Sequence, residues 1–329
     1  MKTIGIIGGG AWGTALANVA AKAGRHVILW ARERDAVAAI NDFQENKPFL
    51  PGVKLQAGIH ATTEMAVLEA ADAIFMVAPA QHMRTVAAAA APHFRPGVPA
   101  VICAKGIEQT TGALLSEVLD EVLPGKPVAV MSGPTFAHET AKGLPTAVTL
   151  ACPSEALAAQ LVAAIGLPTF RPYLSTDLIG AQIGGAVKNV LAIAAGIVVG
   201  RGLGENAKAA LITRGLAEIL RFGRYKGGQN ETMMGLSGLG DLILTCGSPQ
   251  SRNMALGLAL GQGKSLSEIM IGRTSVVEGF YTADILARIA GKAGLDMPIC
   301  LAVDQVLHHG ASLEAAIEGL LNRPFTSEV

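Results

Sequence analysis

Short apolar runs and longer helical runs alternate through the first half of the chain. Runs of strand length lie at 2–8, 26–31, 73–78, 100–103 and 128–131, and 11–24 reads as the helix between the first two. Helical segments separate the later runs as well. Strands alternating with helices predict a parallel sheet covered on both faces. Residues 146–151 and 169–173 are expected to add edge strands.

After about residue 176 the pattern changes. The segments 178–199, 206–223, 252–260, 275–293, 298–309 and 312–321 read as helices, and no strand pattern persists. Gly240, Gly261, Gly263, Gly294 and Gly310 supply the breaks between them, as glycines just past helix ends do. The boundary is expected near 175–180, giving an α/β unit over 1–177 and an all-α unit over 178–329. A length of 329 residues agrees with two domains at about 150 residues each.

Composition narrows the picture. Half the residues are hydrophobic and 16% are charged, which excludes a disordered chain. Lys plus Arg and Asp plus Glu are both 26, so no basic excess points to nucleic acid or an anionic membrane surface. The uncharged stretch 3–21 resembles an export signal, but Gly5, Gly8, Gly9, Gly10 and Gly13 interrupt it. A second apolar run, 178–200, carries Gln182, Lys188 and Asn189 near its middle. A lysine at the bilayer centre is costly, so this run reads as the buried helix of a cytoplasmic protein without membrane insertion.

The four cysteines, Cys103, Cys152, Cys246 and Cys300, lie far apart and give neither a disulfide framework nor a zinc spacing. His138-Glu139 begins like a zinc-protease helix, but Lys142 stands where the second His belongs. His308-His309 has no evident carboxylate or Cys grouping around it. No metal is expected.

Gly8-Gly9-Gly10-Ala11-Trp12-Gly13 matches Gly-x-Gly-x-x-Gly after the first strand and at the opening of the first helix. That is the context of a dinucleotide site in a Rossmann-type sheet. Gly8 permits the tight turn, Gly10 admits a pyrophosphate close to the backbone, and Gly13 lets helix and strand approach. The helix N-terminus then faces the anion. An NAD site usually ends its second strand with Asp or Glu. Here the sequence is Trp30-Ala31-Arg32-Glu33-Arg34, whose arginines suit a 2′-phosphate. NADP is therefore expected, with NAD use left open.

Ligands of open parallel sheets bind at the carboxyl ends of the strands. Ala78-Pro79, Lys105-Gly106 and Ser132-Gly133-Pro134-Thr135 are expected there. In the helical half, Lys188 and Asn189 stand on an otherwise apolar helix, with Gly180, Gly184 and Gly185 one to two turns earlier. Desolvation lowers a lysine pKa toward a range useful for proton transfer. Asp241, taken alone, reads best as a helix N-cap. Ser251-Arg252-Asn253 at a helix start forms a candidate phosphate cradle.

Taken together, the chain resembles bacterial NAD(P)-dependent glycerol-3-phosphate dehydrogenases. The resemblance rests on Gly8 to Gly13, Ala104-Lys105-Gly106, Ser132-Gly133-Pro134-Thr135-Phe136-Ala137, the stretch 184–190, Leu211-Ile212-Thr213-Arg214-Gly215, the stretch 238–246, Gln250-Ser251-Arg252-Asn253 and Val276-Val277-Glu278-Gly279. These occur in family order along nearly the whole chain. The family has an N-terminal Rossmann domain and a helical C-terminal domain. The resemblance implies Lys188 as proton acceptor. It implies substrate around Lys105, Gly133, Thr135, Lys188, Asp241, Ser251, Arg252 and Asn253. It implies cofactor on Ala11, Trp12, Arg32, Lys105, Ala137, Arg252, Val276 and Glu278. Ala11 departs from the Ser often found there, which removes a hydroxyl contact and leaves the backbone N–H.

The implied reaction takes the C2 proton of sn-glycerol 3-phosphate onto Lys188 while C2 gives hydride to the nicotinamide. Lys105 and Asn189 orient the oxygen, and Asp241 tunes Lys188 by charge. The implied partner is a small phosphorylated substrate, the implied role is glycerol 3-phosphate supply for phospholipids, and a homodimer is the assembly considered. The alternatives are a dehydrogenase of the 6-phosphogluconate or ketopantoate reductase type, and an NADP-binding sensor without turnover.

Overall fold

The computed structural model describes residues 1–271, 276–325 and 327. Among them, one sheet contains eight strands: β1 (Thr3–Ile7), β2 (His26–Trp30), β3 (Ile59–Thr62), β4 (Ala73–Met76), β5 (Ala100–Ile102), β6 (Val128–Ser132), β7 (Thr146–Ala151) and β8 (Phe170–Ser175). Their order is β3-β2-β1-β4-β5-β6-β7-β8. The first six are mutually parallel in the doubly wound order that places a ligand crevice beside β1. The near-continuous apolar runs follow from burial on both faces: every residue of β4 and β5 is buried.

Two details of the sheet differ from the sequence expectation. The segment 146–151 is an inner strand, antiparallel to β6 and parallel to β8, which alone forms that edge. The connection 133–145 holds only the six-residue helix α5 (Ala137–Lys142), too short to carry the chain back across the sheet. The other edge, β3, was not anticipated, because Ile-His-Ala-Thr is short and mixed in polarity.

In the sheet half the remaining helices are α1 (Ala11–Lys22), α2 (Arg34–Phe43), α3 (Met83–Ala90), α4 (Leu115–Val122) and α6 (Glu155–Ile165). The helical half contains α7 (Leu178–Gly200), α8 (Glu205–Lys226), α9 (Asn230–Met233), α10 (Asp241–Gly247), α11 (Arg252–Gly261), α12 (Leu266–Met270), α13 (Glu278–Ala293), α14 (Pro298–His308) and α15 (Leu313–Leu321). The short elements α9, α10 and α12 were not foreseen, nor was the π-helical turn Leu236–Gly240 that leads into α10. Residue 275, the expected start of α13, lies outside the described residues.

Helix α7 is the axis of the helical core. It is long and apolar enough to cross a bilayer, yet 89% of its most apolar window is buried inside the protein. Asp177 caps it: Oδ1 accepts from Gly180 N–H at 2.8 Å and Oδ2 from Gln229 N–H at 2.8 Å. Against α7 lies α11, close enough that a methyl on Gly257 would sit 1.9 Å from the Ile193 carbonyl oxygen, and one on Gly196 2.2 Å from that of Met254. Gly261 belongs to the same contact. It is a packing residue rather than a break, while Gly263, Gly294 and Gly310 do take positive φ. Gly240 likewise lies within the π turn.

The two cores interlock. Ile107 and Leu114, from the loop after β5, belong to the helical core, and Ala181 of α7 belongs to a core on the sheet face. The loop that carries Lys105 is thereby fixed to the helical half. Of the paired histidines, His308 faces the Phe280 carbonyl, and His309 meets Asp304 at 3.1 Å, a carboxylate overlooked in the sequence.

Candidate active site

At the carboxyl end of β1 the chain turns through Gly8, whose φ of +127° favours glycine. A methyl on Gly9 would sit 2.4 Å from Ala31 Cβ, and one on Gly13 1.8 Å from the Gly8 carbonyl oxygen. Gly10, by contrast, meets nothing within 4 Å and is exposed. The turn is thus closed on its protein side and open at the α1 N-terminus, where Ala11 and Trp12 present free backbone N–H groups. This cradle fits a dinucleotide pyrophosphate. Arg32, beyond β2, is 81% exposed on its side chain and donates to Glu33 Oε1 through Nη2 at 2.8 Å and Nε at 3.0 Å.

Deeper in the crevice, three segments remote in sequence converge. Lys188 stands on α7 and is 6% exposed; Asp241 opens α10 and is 1% exposed; Lys105 follows β5. Asp241 divides its carboxylate between the lysines. Oδ1 accepts from Lys188 Nζ at 2.6 Å, and Oδ2 from Lys105 Nζ at 2.6 Å. The N-cap reading of Asp241 is therefore wrong. Asp241 is the first residue inside α10, and a buried carboxylate between two ammoniums outweighs any cap. Lys188 also donates to Thr245 Oγ1 at 2.6 Å, and Lys105 donates to the Gly133 carbonyl at 2.8 Å and to Thr135 Oγ1 at 3.4 Å.

Glycines make room for this group. A methyl on Gly185 would meet Ser132 Oγ at 2.9 Å and Lys105 Cγ at 3.2 Å, and one on Gly184 would meet the Ser237 carbonyl at 2.5 Å. Burial pulls the Lys188 ammonium down to about 8; Asp241 holds it up, and the neighbouring charge of Lys105 presses it further down. A lysine in that range exchanges protons near neutral pH.

Thr245 had no individual role in the sequence reading. Its signal was its place four residues after Asp241, on the same face of a helix. A threonine at such a spacing is too common to single out.

A third group lies where α11 and α13 begin. Glu278, the first residue of α13, accepts from Ala80 N–H at 3.0 Å through Oε1, joining the two halves. Its Oε2 is buried and without a hydrogen-bond partner among the described residues, an acceptor turned toward Gly106. Burial raises this carboxyl to about 7, against the Ala80 N–H and the charge of Arg252, which lower it. Ser251 caps α11, its Oγ accepting from Met254 N–H at 3.2 Å. Asn253 donates to Asn189 Oδ1 at 2.9 Å and accepts from Gly279 N–H at 3.0 Å, while Asn189 Nδ2 reaches the Gly185 carbonyl at 3.3 Å.

Gly8, Gly10, Ala11, Trp12 and Gly13 form the glycine turn, and the other expected site residues lie beyond it. Lys105, Gly133, Thr135, Lys188 and Asp241 form one polar cluster. Arg252 and Glu278 adjoin one another, and Val276 lies just before α13. Ala137 is the first residue of α5, just after Gly133 and Thr135. Arg32 stands apart on the surface. The side chains of Asn253 and Asn189 join α7, α11 and α13, while that of Ser251 caps α11. Among the described residues, no group of three or more His, Cys, Asp or Glu is arranged to hold a metal ion.

Comparison with known proteins covers nearly the whole length. Residues 3–158 match the family model described as NAD-dependent glycerol-3-phosphate dehydrogenase N-terminus, and 177–318 match the corresponding C-terminus. Glycerol-3-phosphate dehydrogenase [NAD(P)+] of Parvibaculum lavamentivorans is 56% identical over 327 residues, 99% of this chain and 98% of that protein. The protein of the same description from Rhodospirillum rubrum is 57% identical over 326 residues, 99% of this chain and 93% of its own. The crystal structure of glycerol-3-phosphate dehydrogenase from Coxiella burnetii superposes with a TM-score of 0.94 at 39% identity, covering 98% of this chain and 99% of that one.

Proposed function

The chain belongs to the NAD-dependent glycerol-3-phosphate dehydrogenase family, and on that premise we propose how its residues divide the reaction. The enzyme interconverts sn-glycerol 3-phosphate and dihydroxyacetone phosphate with NAD(P), a reaction that supplies glycerol 3-phosphate for phospholipid synthesis. This membership removes both alternatives raised from the sequence.

The nicotinamide, when bound, carries the hydride. Lys188 carries the proton. An ammonium has three hydrogens to donate. Asp241 and Thr245 take two, which leaves the third for the C2 oxygen of the substrate. As ammonium, Lys188 protonates the alkoxide formed when the ketone is reduced. As amine, it takes the hydroxyl proton in the reverse direction. Lys105 shares the Asp241 carboxylate and, with Gly133 and Thr135, orients the substrate. The two lysines and one carboxylate leave an excess positive charge that suits a phosphorylated substrate.

Arg252 at the head of α11 takes the substrate phosphate, with Ser251 and Asn253 fixing that helix start. Gly8, Gly10, Ala11, Trp12 and Gly13 hold the pyrophosphate. Ala137, Val276, Glu278, Lys105 and Arg252 complete the cofactor site. Arg32 receives a 2′-phosphate, so NADP is preferred; Glu33 must then yield its ion pair, and that competition keeps NAD in use. Residues 1–177 form the dinucleotide-binding domain, and 178–329 form the helical domain that carries the proton chemistry and completes the cofactor site through Arg252, Val276 and Glu278. A cytoplasmic location and a homodimer complete the proposal.

The observation that carries this reading is the Asp241 carboxylate bridging Lys105 and Lys188. NADPH oxidation is measured with dihydroxyacetone phosphate and with unphosphorylated dihydroxyacetone. Strong preference for the phosphorylated ketone is expected, and equal rates with both would overturn the phosphate assignment.

A further inference from the structure

Asn46 lies between α2 and β3, and its side chain is wholly buried. Nδ2 donates to the Gly9 carbonyl at 2.8 Å and to Thr14 Oγ1 at 2.7 Å. Thr14 Oγ1 in turn reaches the same carbonyl at 3.4 Å. Asn46 is itself held. Its Oδ1 accepts from Phe49 N–H at 3.3 Å, and its carbonyl accepts from Leu50 N–H at 2.7 Å. A second buried asparagine, Asn18 of α1, accepts from Gln56 N–H at 2.8 Å and ties the far end of the segment to the same helix. Leu50, Val53 and Leu55 fix its apolar side in the sheet core.

A trans peptide is planar, so its C=O and N–H point in opposite directions. Asn46 draws the Gly9 carbonyl inward. The N–H of Gly10 therefore points away from Asn46, and Gly10 itself is exposed. This N–H is among the first of α1, which have no partner inside the helix and lie at its positive end. The peptide in question joins two glycines, the pairing least able to hold one orientation unaided.

We propose that Asn46 is a positioning residue for the dinucleotide: it pins the 9–10 peptide so that the Gly10 N–H faces the pyrophosphate. It touches no part of the cofactor and acts through the backbone. Thr14 supports it from within α1. The inference rests on the reading that the glycine turn carries the cofactor.

Binding of NADPH and of adenosine 2′-monophosphate, which has no pyrophosphate, is titrated calorimetrically to wild type and to Asn46→Ala. NADPH affinity is expected to fall by about 10-fold or more, as when one charge-assisted hydrogen bond is lost. The monophosphate is expected to hold within about twofold. Unchanged NADPH affinity, or equal losses on both ligands, overturns the role of Asn46 while wild-type binding upholds the glycine-turn reading. Failure of wild type to bind NADPH overturns that reading and the inference with it. If Asn46→Ala gives no cooperative melt, the near-isosteric Thr14→Val is put to the same titration, with a smaller loss in the same direction expected and the same results overturning the proposal.

Discussion

The glycine turn and the Asp241 cluster are two ways of making a polar site. The turn is built from backbone within one stretch of six residues, Gly8 to Gly13. The cluster is built from side chains, and its two carboxylate–lysine contacts span 136 and 53 residues of chain. A backbone site needs particular residues only where a side chain would obstruct it, so its signature is a run of glycines. A side-chain site needs charges that meet only after folding, so its signature is an anomaly, such as a lysine on an apolar helix. The first kind tolerates exchange of most side chains around it. The second depends on each of its members.

Replacing the lysine assigned to proton transfer separates the two kinds most sharply. Lys188→Met should lower kcat by about two to four decades while NADPH binding persists. Stopped-flow turnover beside a cofactor titration makes the check, and near-normal kcat in a folded variant would remove Lys188 from proton transfer. The wild-type pH profile sharpens the same point. Ketone reduction requires the ammonium, so its rate should fall as pH rises through about 8, and alcohol oxidation should rise over the same range. Profiles flat through that window in both directions would count against a titrating Lys188.

Arg252 stands between the two kinds of site, because it is assigned to both substrate and cofactor. Arg252→Ala should lose about 10²-fold or more in kcat/KM for dihydroxyacetone phosphate, since removing one partner of a charge pair that bound substrate would cover costs about 2–5 kcal/mol. Arg252→Lys should remain impaired, because the charge returns without the planar fork. Unphosphorylated dihydroxyacetone should be affected far less. An equal factor on both ketones, at saturating NADPH, would assign Arg252 to cofactor or fold alone.

The smallest effect is expected at the surface. Arg32→Ala should weaken NADPH by roughly 10- to 150-fold, the worth of one charge-assisted hydrogen bond, and NADH much less. The Glu33 pair sets this toward the low end, because the 2′-phosphate must displace a carboxylate already there. Equal losses for both cofactors would mean that Arg32 does not read the 2′-phosphate.

What could be read in advance follows the same division. Strands buried on both faces and the glycine turn were legible, because period and punctuation are local. β3 was not: four residues of mixed polarity at an edge carry little period. Lys188 was legible as a misplaced charge. For Asp241, its charge on Lys188 was implied by the family resemblance, but its bridge to Lys105 was not legible, since only folding brings Lys105 to it. Thr245 and Asn46 were invisible for a different reason. Each is an ordinary polar residue whose partners, an ammonium and a glycine carbonyl, are fixed by tertiary contact. Asn253 was legible as a polar group at a helix start, but not as the link between Asn189 and Gly279.

Because Asp241 serves one lysine from each half, neither half is an interchangeable part. A chimera that keeps this sheet unit but borrows the helical unit of another dehydrogenase would leave Lys105 without its carboxylate. The converse exchange would leave Asp241 with one ammonium instead of two. Substitutions at the loop after β5 and at the head of α10 are therefore expected to be inherited as pairs, and successful recombination between relatives should cross over elsewhere in the chain.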